Sequence, residues 1–201
     1  MTDITSDIAP GRRPAAQSAS KSNGSEKGLA EAPQRDLPHR DLVACVELFY
    51  FAYRDFTCDP DTILEQYGFG RAHHRVLHFV HRNPGLKVAG LLDILKITKQ
   101  SLARVLKQLI DEGFIIQRAG DEDRRQRRLY VSAKGARLTD KLTQIQVKRF
   151  EAALTNAGPG ADALTRQFLF AMIAEKDRAH VEALIRQPQS GAGLDDKGLG
   201  K

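Results

Sequence analysis

Cysteine is scarce in this chain, and no apolar run is long. The 201 residues include two cysteines, Cys45 and Cys58, without the pattern of a disulfide framework. That argues against a stapled secreted scaffold and fits a reducing, cytoplasmic location. No stretch approaches the roughly 18 consecutive apolar residues of a membrane span, so no membrane partner is expected. The first residues, M-T-D-I-T-S-D, lack the apolar segment of a secretory leader. Signatures of catalysis are missing too. Gly68-Phe69-Gly70 lacks the third glycine and the preceding strand of a dinucleotide fingerprint. There is no P-loop, no nucleophile elbow and no H-E-x-x-H. These absences point away from an enzyme, and no cofactor is expected.

What the chain does have is positive charge, unevenly spread. Its net charge is +6 and its pI about 9.4, a balance that favours an anionic partner. Arg124, Arg125, Arg127 and Arg128 fall within five residues. The ends are compositionally different from the middle. Residues 1–36 are poor in large apolar side chains and read as a disordered tail. Residues 187–201, with Pro188 and four glycines after it, read as a second flexible tail. The body between them, 37–186, is one domain's worth of chain.

Within the body, Leu42, Val46, Phe49, Tyr53 and Phe56 recur at spacings of four and three, which predicts one helix from about His39 to Phe56. Pro60 is placed to start a second, short helix over Asp61–Tyr67. A third runs from Arg71 to His81 with Val76, Leu77 and Val80 inward, and Asn83-Pro84-Gly85 is a turn. Val88–Leu95 is a short apolar helix. Thr98 is placed to cap a helix over Lys99–Glu112, which buries Leu102, Val105, Leu106, Leu109 and Ile110 and stops at Gly113. Phe114–Arg118 and Arg128–Ser132 have strand character, and the loop Ala119–Arg127 is long for a hairpin. A long helix follows Gly135 to about Asn156, and a last helix spans Ala161–Arg186. The terminal helices carry more apolar surface than one copy buries, so a homodimer is expected.

The segment Ile97–Gly135 combines a capped helix, two strands and an arginine-loaded tip, an order suited to double-stranded DNA. A helix fits the major groove, and side chains near its N-terminal end reach base edges. Gln100, Ser101 and Arg104 face away from the buried stripe. Gln pairs with adenine and Arg with guanine, while Lys99 and Lys107 suit phosphates. Asp123 lies two residues before Arg125 and can orient it for a narrow minor groove. Arg124, Arg127 and Arg128 are placed for phosphates. The bland alternative for both segments is a solvated charged face.

The pieces T-K-Q-S-L-A-R-V-L-K-Q-L-I-D-E-G-F-I and D-E-D-R-R-Q-R-R-L-Y-V-S-A-K-G resemble the MarR family of bacterial winged helix-turn-helix transcription regulators. Asp123 and Arg125, Val131-Ser132 and Gly135 fall on its wing pattern. The similarity extends, with less force, over about Arg40–Ile185. It implies a mainly α fold with a small β-hairpin wing (α+β), a DNA-binding core over 61–135 and dimerisation helices over 39–57 and 136–186. It further implies a homodimeric repressor on a pseudo-palindromic operator. Arg104 would be the main base reader and Arg125 the minor-groove arginine.

Members of that family commonly release DNA when a small aromatic or phenolic ligand binds beside the core. Tyr50, Phe69, His73 and His74 are candidates for such an effector pocket, whereas Phe49, Tyr53 and Phe56 read as packing residues. Oxidant sensing through Cys45 is the alternative, since peroxide-sensing members carry a cysteine at the corresponding helix position. Here Phe49 stands where those sensors have a tyrosine, and a packed cysteine is the simpler reading. His74, His78 and His81 have zinc-compatible spacing. The helix after the wing has no histidine, however, and no metal site is expected.

Overall fold

The computed structural model describes residues 37–120 and 126–186. The elements run α1 (His39–Glu65), α2 (Arg71–Arg82), β1 (Leu86–Lys87), α3 (Val88–Leu95), α4 (Lys99–Asp111), β2 (Ile115–Ala119), β3 (Arg127–Val131), α5 (Ala133–Ala157), α6 (Ala161–Ala171) and α7 (Glu175–Arg186). The molecule is mainly helical with one small antiparallel sheet, the class expected. At its centre lies α2. Val76, Leu77 and Val80 are fully buried, and this one helix touches α1, α3, α4, α5 and β3. The spacing of these three residues makes a single apolar edge, and each neighbouring element contributes leucines or valines against it. Phe69 closes the core near α2's first turn, 5 % exposed, with its ring against Phe114 at 5.0 Å and Tyr67 at 5.9 Å.

The sheet has the order β1-β3-β2. The hairpin β2–β3 is in register from Ile115↔Val131 to Ala119↔Arg127. Strand β1 escapes a periodicity reading because it is two residues long. Gly85, at φ +84, turns the chain so that its N–H donates to the Leu129 carbonyl at 2.8 Å, and Leu86 then pairs with Leu129.

Three helix boundaries differ from those the sequence suggests. Pro60 does not start a new helix; it lies inside α1, buried. Its missing N–H costs one helical bond. Neighbouring contacts hold the helix through that point. Thr57 Oγ1 donates to the Tyr53 and Arg54 carbonyls at 3.0 Å each. Arg149 reaches Asp59 at 2.8 Å and Arg71 reaches Asp61 at 2.8 Å, while Leu64 anchors the last turn in the core. The last helix is two helices, α6 and α7. No glycine or proline marks the break. Arg178 caps it, donating from Nε to the Ile173 carbonyl at 3.0 Å and from a terminal nitrogen to the Ala171 carbonyl at 2.8 Å.

The long helix α5 begins before Gly135 rather than after it. Ser132 caps it, accepting from the Gly135 N–H at 3.0 Å and donating to the Gly113 carbonyl at 2.7 Å. Gly135 is thus the third residue inside α5, and it has to be glycine for a packing reason. A Cβ there would sit 2.2 Å from the Phe114 carbonyl oxygen, which is backbone and cannot swing aside. Gly135→Ala is expected to destabilise the fold by about 3 kcal/mol through overpacking. A urea titration checks this, and a midpoint unchanged from wild type would show that the α5–β2 junction yields.

Candidate nucleic-acid interface

The helix-turn-helix is α3, the turn Lys96–Thr98, and α4. Lys96 takes the left-handed conformation at φ 51, and its N–H donates to the Leu92 carbonyl at 2.9 Å, so α3 ends abruptly. Thr98 is the N-cap expected. Its Oγ1 accepts from the Ser101 N–H at 3.1 Å and donates to Ser101 Oγ at 2.8 Å. At the other end Gly113, at φ +73, donates to the Ile110 carbonyl and Phe114 to the Leu109 carbonyl, a Schellman stop. Between these caps Leu102, Val105, Leu106 and Leu109 are buried, while Ile110 is half-buried.

Lys99, Gln100, Ser101, Arg104 and Lys107 are all exposed on α4. Arg104 pairs with no carboxylate among the described residues, so its guanidinium is uncommitted. Ser101 accepts from Thr98 and keeps its own proton for an outside acceptor. Lys107 is ion-paired with Asp111 one turn on. That pair is exposed and therefore weak, and a phosphate can compete for the lysine.

The wing continues from β2 and β3. Asp123, Arg124 and Arg125 lie outside the described residues. The base of their loop is closed by the Gly120 N–H donating to the Gln126 carbonyl at 2.9 Å. Arg127 is exposed and Arg128 is half-buried. Strand register aligns Lys87, Arg128 and Arg118 in one row across the sheet, with Arg118 5.6 Å over the Tyr130 ring. The sequence reading misses Lys87 and Arg118. Both become visible as part of a basic row only once β1 is paired.

Behind the interface, between α1, α2 and α5, lies an open cleft of about 530 Å³. Arg71, His74, Arg75, His78 and Phe79 of α2 line it, with Tyr53, Phe56, Thr57 and Asp61 of α1 and Gln146 of α5. Of the four effector residues expected, only His74 is there. Tyr50 is 68 % exposed on α1. Phe69 is a core residue. His73 is turned away, accepting from the Gly70 N–H at Nδ1 and bonded to Gln108 at Nε2. The four residues do not form one pocket because α2 turns His73 and His74 to different sides. Tyr53 and Phe56, expected to be packing residues, also line the cleft, and Phe56 packs edge-on against Phe150 with centroids 5.7 Å apart.

Burial lowers the His74 pKa, against the pull of Asp61. Burial also takes His78 down to about 4, with His74, Arg82 and His81 adding repulsion. Both rings are therefore neutral at pH 7. His81 faces elsewhere, 3.2 Å from Asp140. Among the described residues no group of three or more His, Cys, Asp or Glu is placed to hold a metal ion. Cys45 is a free, exposed cysteine with no hydrogen-bonding or ionic partner among the described residues. The oxidant-sensing expectation has no support. A second, apolar hollow of about 410 Å³ lies between α1, α5 and α6, with Phe49, Phe56, Phe150 and Phe168 among its walls. No helix among the described residues is long and apolar enough to cross a membrane.

A capped, outward-facing helix beside a basic antiparallel wing defines the winged helix-turn-helix class of DNA-binding regulators. The MarR family model matches residues 67–126, from just after α1 to just before β3. A relative from Rhodobacter capsulatus, the HTH-type transcriptional regulator PetP, is 49% identical over 139 residues, covering 69% of this chain and 84% of that protein. The chain belongs to the MarR family and is a helix-turn-helix transcriptional regulator. Among solved structures, that of MarR superposes with a TM-score of 0.54 at 23% identity, covering 74% of this chain and 97% of the other. The Staphylococcus aureus MepR–DNA complex gives 0.52 at 18% identity, covering 63% and 93%. At those identities the likeness establishes the fold.

The cleft histidines make stability depend on pH. Between the ordinary histidine value and about 4, the unfolded chain binds protons that folded His78 refuses. Stability is therefore full above the ordinary value and falls as pH drops through that window, by on the order of 2–3 kcal/mol. Melting curves between pH 7 and pH 4 check this. His78→Gln should flatten the dependence, and an equal slope in the variant would assign the effect elsewhere.

Proposed function

We infer that two copies of this chain bind a pseudo-palindromic operator as a repressor. A small aromatic ligand entering the cleft beside α2 releases them. The observation that carries this reading is the exposed face of α4: Gln100, Ser101 and Arg104 project from a capped helix end, and Arg104 has no partner of its own among the described residues. Arg104 reads guanine, Gln100 reads adenine, and Lys99 and Lys107 hold phosphates. In the wing, Asp123 orients Arg125 toward the minor groove, and Arg124, Arg127 and Arg128 add phosphate contacts. The DNA complex of MepR, a protein of the same fold, supports this reading.

Dimerisation rests on exposed apolar surface. Leu42, Val46 and Phe49 on α1, Leu164 and Phe168 on α6, and Met172 just after α6 all lie open, an area that a monomer leaves in water. A second copy covering it places two recognition helices about one duplex turn apart. The cleft supports the effector. Its aromatic walls suit a planar ring, the neutral His74 and His78 offer hydrogen bonds, and Arg71 and Arg75 suit a hydroxyl or anionic substituent. The protein acts by binding rather than by catalysis, and its place is the cytoplasm.

Gel retardation on the chain's own promoter region tests the DNA reading. Affinity should fall steeply with salt as phosphate contacts release counterions. Arg104→Ala should weaken operator binding by about 100-fold, because each half-site is deprived of one arginine–guanine pairing. Wild-type affinity in both Arg104→Ala and Arg125→Ala would sink the site assignment. Phe168→Glu should shift sedimentation to a monomer at micromolar concentration. A variant that stays dimeric would move the interface off α6.

A further inference from the structure

The hydrogen bonds at the first turn of α2 form a directed chain that ends on the recognition helix. The Gly70 N–H donates to His73 Nδ1 at 3.1 Å, so that nitrogen is unprotonated and the ring proton sits on Nε2. Nε2 then donates to Gln108 Oε1 at 2.9 Å, and Gln108 Nε2 donates to Glu112 at 3.0 Å. The imidazole lies flat on the buried Phe69 ring, centroids 4.8 Å apart and planes 7° apart. A ring gripped on its face and at both nitrogens has one orientation.

Gln108 is one turn beyond Arg104 and two beyond Gln100, on the same flank of α4. The opposite flank is held by apolar packing, which is non-directional and tolerates a small rotation of the helix about its axis. A hydrogen bond to a fixed ring resists that rotation, because its strength falls steeply with misalignment. The start of the motif is also held from α2. Arg75, two residues after His73, donates to the Leu95 carbonyl at 3.1 Å just before the turn.

We propose that His73 is a positioning residue for base reading: through Gln108 it sets the rotation of α4, and so the angle at which Arg104 and Gln100 meet the groove. This rests on the DNA-binding reading above and gives α2 a role in specificity. His73 itself touches no base.

The test compares binding to the operator fragment with binding to a scrambled duplex of equal length. It uses the full chain and three variants: His73→Asn, Gln108→Met, and both together. Asn at position 73 keeps an acceptor oxygen near the place of Nδ1 for the Gly70 N–H, and it is too short to carry a donor to Gln108. Met at position 108 preserves length and helix propensity. Each single variant should lose about five- to tenfold in operator affinity, the share of one hydrogen bond, with scrambled-duplex affinity unchanged. The double variant should be no worse than either single, since both remove the same link. Circular dichroism melts monitor folding. Equal losses on both duplexes, or losses that multiply in the double variant, would overturn the proposal. A wild-type protein that does not distinguish the duplexes would overturn the DNA reading itself, and this inference with it.

Discussion

The apolar edge of α2 is the contact on which the rest of the molecule depends. Val76, Leu77 and Val80 are the meeting point of α1, α3, α4, α5 and the sheet. Fully burying such side chains is worth roughly 1.5–3 kcal/mol each. The opposite side of the same helix is polar and lines the cleft through Arg71, His74, Arg75 and His78. One twelve-residue helix is therefore both keystone of the winged core and wall of the cavity. A shift of α2 would be felt at α4, because the two are packed and also hydrogen-bonded through His73.

Around this centre, local backbone chemistry decides where the functional helix points. Thr98, Gly113 and the Schellman bonds fix both ends of α4, and Lys96 at φ 51 sets its angle to α3. Ser132 performs two tasks at once, capping α5 and tying it to the end of α4 through the Gly113 carbonyl. The wing and the recognition helix are thus joined by short bonds rather than by a long connection. At the outer end of the hairpin the Gly120 N–H donates to the Gln126 carbonyl at 2.9 Å.

Much of this is legible in the sequence, and what is not has physical causes. The stripe of α4, the core of α2, the Thr98 cap and the Gly113 stop follow from period and cap chemistry, which are local. Strand β1 is invisible because two residues have no period; only pairing with Leu129 makes them a strand. Pro60 looks like a boundary because the sequence does not reveal Arg149 and Arg71 reaching in from other helices. The break after α6 is capped by Arg178, a residue with no local signature of that role. The cleft is the least legible part. Aromatics and histidines look like one set along the chain, but the side on which each histidine of α2 falls depends on the helix's tertiary packing. His73 consequently belongs to the recognition helix and His74 to the cavity.

The unbroken passage of α1 through Pro60 has a mechanical consequence. At 27 residues it is a rod of about 40 Å, with one end seated in the winged core at Leu64 and the other running out along the exposed apolar surface. A rod pivoting near Leu64 magnifies motion. A few degrees of tilt there become about 2 Å at His39, and the relation also works in reverse. Grip on the far end becomes leverage on the near one. Two such rods clasped at their outer ends would behave as a pair of calipers, the gap between their jaws set by how the handles are held.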